Sequence, residues 1–517
     1  MFYFDWIDHH AGQRPEKTAL YCCATRSRLD FGRLSERIHA LAWHLTQDLG
    51  VRPGDRVCLL SKSRPEAFEL QFACAKAGAI FVPLNWRLAA AEQAHVWSDA
   101  EPRVLFGDAA FSQAASEFAP DTPYRRLPDG GAGRESPYEA GIASHRGRRF
   151  PNAEVDPEDI WCMLYTSGTT GKPKGVMLSY RMVQANVVNF SFPTRITRDT
   201  VFLCAMPTFH TGGLNVYANP VLHAGGTVLL MPDFDAGAAL AAMNDPAHGV
   251  THFFGTPTHY ILMQQDPGFA SATFPAMVNA GIGGAPPTAD LVAAWLRKGV
   301  PLQPTYGMTE IGPGILTTDL DRVQDKLGTS GRPGLHMAFK IAAADGAPLG
   351  PGEVGEIWVK GPPVMSGYWR NPEATAACLA DGWFRSGDAA YRDEEGFVYI
   401  VDRIKDMYIS GGENVYPAEV EQVIAQLDAV SLCAVVGAPD PKWGEVGVAY
   451  VVLRDGCALA EEAALAHCRA RLARYKVPRR VLFLPGLPLT ASGKIRKQAL
   501  RQRAAGDCCA APQKDSA

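Results

Sequence analysis

The chain has 517 residues, 47% hydrophobic and 20% charged, with a formal net charge of −4. That length and apolar content can fill more than one core. The near-neutral charge supplies no basic field for nucleic acid, and no run approaches the ~18 apolar residues of a membrane span.

The start, Met1-Phe2-Tyr3-Phe4-Asp5-Trp6, lacks the basic lead and long apolar core of a secretory signal. The twelve cysteines include no C-x-x-C pair, and the thirteen histidines show no ligand spacing. Cys74, Cys162, Cys204 and Cys433 lie in apolar runs and read as small core residues, which fits a reducing cytoplasm.

In chain order, the pattern predicts a strand at 57–60, a helix over 66–76 and a strand at 80–84, a parallel βαβ unit. Residues 119–157, rich in Pro, Gly, Arg and Asp, read as a surface connection. A buried strand is expected at 160–164, and further strands at 227–231 and 250–254. Near 355–360 shorter strands with turns suggest an antiparallel barrel. Beyond about residue 405 come a helix over 415–427, strands at 434–436 and 448–453, and a helix over 459–472, a small α+β domain. The expected class is α/β: a large N-terminal domain of βαβ subdomains plus a small β-barrel over 1–403, a smaller α+β C-terminal domain over 404–502, and a disordered tail over 503–517.

The most informative segment follows the strand at 160–164. Tyr165-Thr166-Ser167-Gly168-Thr169-Thr170-Gly171-Lys172-Pro173-Lys174-Gly175 combines hydroxyls, glycines and two lysines. Its N–H groups, hydroxyls and ammonium charges suit a polyphosphate. It is not a P-loop: only two residues separate Gly168 from Gly171, and Pro173 replaces the metal-binding hydroxyl after Lys172.

The loop resembles the phosphate-binding signature of the adenylate-forming superfamily, which includes acyl-CoA synthetases, peptide-synthetase adenylation domains and firefly-type luciferases. Further segments match that superfamily in order. They are Pro207-Thr208-Phe209-His210-Thr211-Gly212-Gly213, Tyr306-Gly307-Met308-Thr309-Glu310, Gly355-Glu356-Ile357 through Gly367-Tyr368, and Trp383-Phe384-Arg385-Ser386-Gly387-Asp388. Asp402-Arg403-Ile404-Lys405-Asp406, Ser410-Gly411-Gly412-Glu413-Asn414, Pro417-Ala418-Glu419-Val420-Glu421 and Pro488-Leu489-Thr490-Ala491-Ser492-Gly493-Lys494 complete the set.

The resemblance implies a two-step ligation. A carboxylate attacks the α-phosphate of ATP, giving an acyl-adenylate and pyrophosphate; a thiol, usually of coenzyme A, then displaces AMP. It assigns Thr166, Ser167, Gly168, Thr169, Thr170, Gly171, Lys172 and Lys174 to the β- and γ-phosphates, and Glu310 to Mg2+. Thr309 becomes a phosphate-contacting hydroxyl, Tyr306 an adenine platform, and Asp388 and Arg403 the ribose contacts. Lys494 becomes the catalytic cation bridging carboxylate and α-phosphate, and His210 a gate near the carboxylate. Gly411, Gly412 and Glu413 would flank the pantetheine arm after the mobile small domain turns about Lys405. Trp443 and Arg479 are further candidates for the thiol donor.

The acyl pocket is expected around 210–215, 256–260, 281–285 and 303–308. These segments contain no Lys or Arg, which favours an apolar monoacid, either a medium-chain fatty acid or an aryl acid. Loading of an acyl carrier protein and a catalytically silent nucleotide-binding regulator are the alternatives. The assembly state, monomer or homo-oligomer, is left open.

Overall fold

The computed structural model describes residues 5–130, 135–151, 154–167, 172–285, 287–490 and 494–507. The chain forms two compact units, one of residues 1–339 with 359–384 and one of 340–358 with 385–517.

The first unit holds two sheets. In the larger, strands Leu302–Met308, Asn279–Ile282, His252–Gly255, Val201–Cys204, Thr227–Leu230 and Thr18–Cys22 lie side by side and parallel, with antiparallel strands at both edges. Such strands are covered on both faces, so they read as continuous apolar runs. One face packs Phe253, Tyr260 and Trp295 into a dry core. The smaller sheet contains the expected βαβ unit. Strands Arg56–Leu60 and Ile80–Pro83 are parallel, joined by helix Pro65–Ala77, which starts with Pro65 and stops at left-handed Gly78.

Residues 119–157 do more than connect. Ser136 caps helix Pro137–Ser144, and this helix buries Tyr138 and brings Glu139 to Arg37. Arg37 also holds Glu69 at 2.6 Å, and the Tyr138 hydroxyl donates to Glu69 at 2.6 Å. The surface expectation failed because the anchoring residues are scattered: strand Tyr124–Arg126 joins the sheet, and Leu127, Tyr138, Ile142 and His145 are buried among polar neighbours that set the segment's average.

In the second unit, strands Val430–Asp440 and Gly444–Leu453 form a long hairpin, flanked by Tyr408–Ser410 and Arg480–Phe483. Helices Pro417–Ile424 and Glu461–Arg469 cover one face of it. The expected helices over 415–427 and 459–472 are thus present but shorter, and the strand at 434–436 is the middle of a longer one. Helix Lys497–Asp507 runs past the expected start of a tail at 503, and residues 508–517 lie outside the described set. The short antiparallel strands expected near 355 appear as Gly355–Lys360 and the hairpin Trp383–Arg392 with Val398–Arg403.

Cys74, Cys162 and Cys204 are buried and Cys433 is half-buried, all as free thiols. Among the described residues no helix is long and apolar enough to cross a membrane.

Burial makes one of the histidines a pH liability. His252 is 1% exposed, and its Nε2 donates to the Thr194 carbonyl at 2.8 Å. Burial pushes its pKa down to about 4 from 6.5. A lowered histidine contributes stability that is complete above pH ~6.5 and is lost as pH falls toward 4, by at most about 1.4 kcal/mol per pH unit. The urea midpoint is expected to drop between pH 7 and pH 5, and less steeply in His252→Gln. A midpoint flat across that interval would contradict the assignment.

Candidate active site

The phosphate-loop segment joins two antiparallel strands of the smaller sheet, Ile160–Ser167 and Pro173–Ser179. Thr166 stands opposite Lys174, and Ser167 opposite Pro173. Gly168, Thr169, Thr170 and Gly171, and the Ser167 side chain, lie outside the described residues. The base of the hairpin is fixed from both sides. His95 Nε2 donates to the Pro173 carbonyl at 3.1 Å, and the Tyr165 hydroxyl donates to Asp99 at 2.6 Å. Gly175 leaves room for Met163 and the Tyr165 ring, which a Cβ would strike.

Strand Gly367–Tyr368 pairs with the other edge of Pro173–Ser179, with Tyr368 opposite Val176. The Tyr368 ring thereby lies under the Lys174 ammonium, 5.1 Å from ring centre to Nζ. Its hydroxyl donates to Glu310 Oε1 at 3.0 Å. Burial and the Glu310 carboxylate both push the Tyr368 hydroxyl above its ordinary pKa, so it stays a donor. Glu310 is carried by the short turn Thr309–Ile311 after strand Leu302–Met308, and its carbonyl accepts from Met365 N at 2.8 Å. The fold thus brings Lys174 and Glu310, 136 residues apart by their numbers, onto one tyrosine. Thr309 is buried and Tyr306 half-buried at the end of the same strand. Gly307 is required there, because a Cβ would enter the Pro313 backbone.

The expected acyl segments meet at the carboxyl ends of the parallel strands, where open α/β sheets bind ligands. The Phe254 ring packs against three of their glycines. A Cβ on Gly212, Gly281 or Gly283 would stand 3.7, 3.1 or 3.4 Å from it. The Tyr260 hydroxyl holds the Gly281 carbonyl at 2.8 Å. His210 is half-buried, and its Nδ1 accepts from Gly212 N at 3.0 Å, which leaves Nε2 to carry the hydrogen in the neutral ring.

The second unit carries the remaining candidates. Asp388 and Arg403 face each other across a hairpin, with Arg403 Nε 3.1 Å from Asp388 Oδ1. Glu356 tightens the turn before Asp388 by accepting from Gly387 N at 2.8 Å. Gly411 and Gly412 have φ of +61° and +88°, a region that excludes most side chains. A Cβ on Gly411 would also press on the Trp443 indole at 2.9 Å, so Trp443 stands against the glycine segment. Glu413 is exposed beside them. Arg479 reaches Asp440 at 3.8 Å, and burial lowers the pKa of Lys405. Lys494 is half-buried in a turn closed by its own backbone. Its N–H donates to Thr490 Oγ1 at 3.0 Å, and its carbonyl accepts from Thr490 N at 2.6 Å.

Sequence reasoning gave no role to Tyr368, Glu356 or Phe254. The first two lay inside quoted motifs, but their partners are distant in sequence. The fold also assembles a group that spacing concealed. His44 Nδ1 and His145 Nε2 both meet Asp48 Oδ2, at 2.7 and 2.9 Å. Arg148 donates to His145 Nδ1 at 2.8 Å. A guanidinium only donates, so Nε2 of His145 carries the hydrogen and points it at Asp48. The trio therefore reads as a hydrogen-bonded clamp rather than a metal site.

Comparison with known proteins shows the family. Residues 7–369 match the family model "AMP-binding enzyme" and residues 419–494 match "AMP-binding enzyme C-terminal domain". The chain is 42% identical to a feruloyl-CoA synthase of Amycolatopsis sp, covering 96% of this chain and 98% of that one. It is 38% identical to an indoleacetate–CoA ligase of Aromatoleum aromaticum, covering 96% and 97%. Among solved structures, ATP-bound MatB from Rhodopseudomonas palustris superposes with a TM-score of 0.89 at 31% identity, covering 98% and 99%. The anthranilate CoA ligase AuaEII in complex with anthranoyl-AMP gives 0.91 at 25% identity, covering 98% of each chain. The chain belongs to the AMP-binding enzyme family, within the adenylate-forming superfamily.

Proposed function

We propose that the chain is an ATP-dependent acid:CoA ligase that activates an aryl monocarboxylic acid, first as its adenylate and then as its CoA thioester. The observation that carries the reaction type is the Lys174–Tyr368–Glu310 chain at the root of the phosphate loop, a cation and a hard carboxylate held side by side. For the aryl acid, the support is the make-up of the acyl segments and the relatives. No Lys or Arg stands in the acyl segments to meet a second carboxylate. Relatives named for feruloyl, indoleacetate and anthranilate acids point the same way.

Glu310 is the residue to hold Mg2+, since one carboxylate oxygen is fixed by Tyr368 and the hard donor suits the ion. The ion, when bound, offsets phosphate charge. The loop 166–174 grips the β- and γ-phosphates, Tyr306 stacks adenine, and Asp388 and Arg403 hold the ribose. Lys494 spans the acid carboxylate and the α-phosphate, and His210 borders the carboxylate. For the thiol step, the segment Gly411-Gly412-Glu413 lies along the pantetheine arm, with Trp443 beside it. In this reading residues 1–403 act as the large domain, and the segment from 404 through helix Lys497–Asp507 acts as the small one that turns about Lys405 between half-reactions. The free, largely buried thiols support a cytoplasmic location.

The deciding experiment offers benzoates, cinnamates and arylacetates beside C4 to C16 fatty acids, with ATP and CoA, and scores AMP and acyl-CoA. Aryl acids are expected to lead; a fatty acid in first place would overturn the substrate class. Adenylate without transfer to CoA would favour a carrier protein as acceptor, and no pyrophosphate from any acid would favour a silent regulator.

Three variants probe the assigned roles. Lys494→Ala is expected to slow pyrophosphate release by about 10²–10³-fold, the scale of one preorganised charge contact, while thioester formation from supplied acyl-adenylate changes far less. Gly412→Leu is expected to do the opposite. Its φ of +88° adds strain, so its thermal midpoint must be read alongside. Tyr368→Phe, which frees Glu310, is expected to weaken Mn2+ binding to the ATP complex by about 10-fold in a direct titration. An unchanged titration would remove Tyr368 from the site.

A further inference from the structure

Helix Lys497–Asp507 starts three residues after Lys494 and contacts two other segments of the second unit. Lys497 Nζ meets Glu421 Oε1 at 2.8 Å, with the two side chains only 17% and 20% exposed. That Glu421 oxygen also accepts from Val435 N at 2.7 Å, which pins it to the long central strand. One helical turn farther on, Arg501 donates to the Lys405 carbonyl at 3.2 Å and to Asp406 Oδ1 at 2.8 Å.

The segment around Lys405 is held from its other end as well. Asp402 accepts from Arg403 N at 2.7 Å and from Ala418 N at 2.8 Å, in the first turn of the helix that carries Glu421. Burial raises the pKa of Asp402, and the positive charge of Lys497 opposes that rise. Between Lys494 and Lys497 the chain has no slack. Ile495 pairs with Leu489, Arg496 N donates to the Pro488 carbonyl at 2.8 Å, and Lys497 N donates to the Ile495 carbonyl at 3.1 Å.

We propose that Lys497 is a positioning residue for Lys494. Its ion pair with Glu421 makes helix Lys497–Asp507 a strut that fixes the Lys494 turn and, through Arg501, the segment 402–406 as one rigid piece. The Lys494 ammonium is then aimed by a group that touches neither acid nor nucleotide. This rests on the adenylation role given to Lys494 above. Neither Glu421 nor Lys497 is used by the proposed chemistry.

The test compares Lys497→Met, which keeps the stem and removes the charge, with Glu421→Gln/Lys497→Met, which leaves no unpaired buried charge. Each is measured for adenylation by pyrophosphate exchange, for thioester formation from supplied acyl-adenylate, and for thermal midpoint. Lys497→Met is expected to lower the adenylation kcat by about 10- to 10²-fold with the KM for ATP within twofold, the scale for a displaced reacting group, and to leave thioester formation within threefold. The double variant is expected to regain thermal stability but not adenylation. If restored stability brings back the adenylation rate, Lys497 is structural only and the proposal fails. Lys494→Ala in the same assay separates the two layers. A crippled Lys494→Ala beside an unaffected Lys497→Met sinks the strut alone; an unaffected Lys494→Ala sinks both.

Discussion

Two anions must be brought together if this enzyme is to work, and the layout of its cations follows from that repulsion. At about 4 Å, a pair of unit charges in a setting of effective dielectric ~20 costs about 4 kcal/mol. A carboxylate facing a triphosphate meets that opposition several times over. Cation charge is therefore needed at the β- and γ-phosphates and again at the α-phosphate. In the first unit the proposed source is Lys174, which stands over the Tyr368 ring, whose hydroxyl donates to Glu310. In the second the proposed source is Lys494, tied to Thr490 by two hydrogen bonds. The two cations belong to separate compact units.

The sheet architecture serves the first of these tasks through a small edge strand. Gly367–Tyr368 is only two residues long, yet its pairing with Pro173–Ser179 sets where the tyrosine sits. A tyrosine links the two functions because its ring face attracts an ammonium and its hydroxyl donates to a carboxylate. A phenylalanine would keep the first interaction and lose the second.

Local chemistry made much of this readable from sequence. The phosphate loop is unusual in composition wherever it is met, and the βαβ unit at 56–83 announces itself by periodicity. What could not be read are the contacts between distant segments. Tyr368 with Glu310, Glu356 with Gly387, and Arg37 with Glu139 each join residues more than 30 positions apart. Nothing in a window of a dozen residues marks such a pair. The same limit produced the misreading of 119–157, where averaged polarity hid Tyr138 and Glu139.

Two physical reasons for glycine can coincide at one position. A narrow channel along the pantetheine arm would exclude side chains at Gly411 and Gly412, and the backbone independently favours glycine there at φ +61° and +88°. Only Gly411 faces an obstacle to a Cβ, the Trp443 ring; around Gly412 the space is open. Backbone strain and channel width are therefore separable at Gly412. A residue tolerant of left-handed φ, such as asparagine, would relieve the first and keep a side chain to test the second. If Gly412→Asn folds as the parent does and still blocks transfer to the thiol, the channel accounts for the glycine; if transfer survives, the turn does.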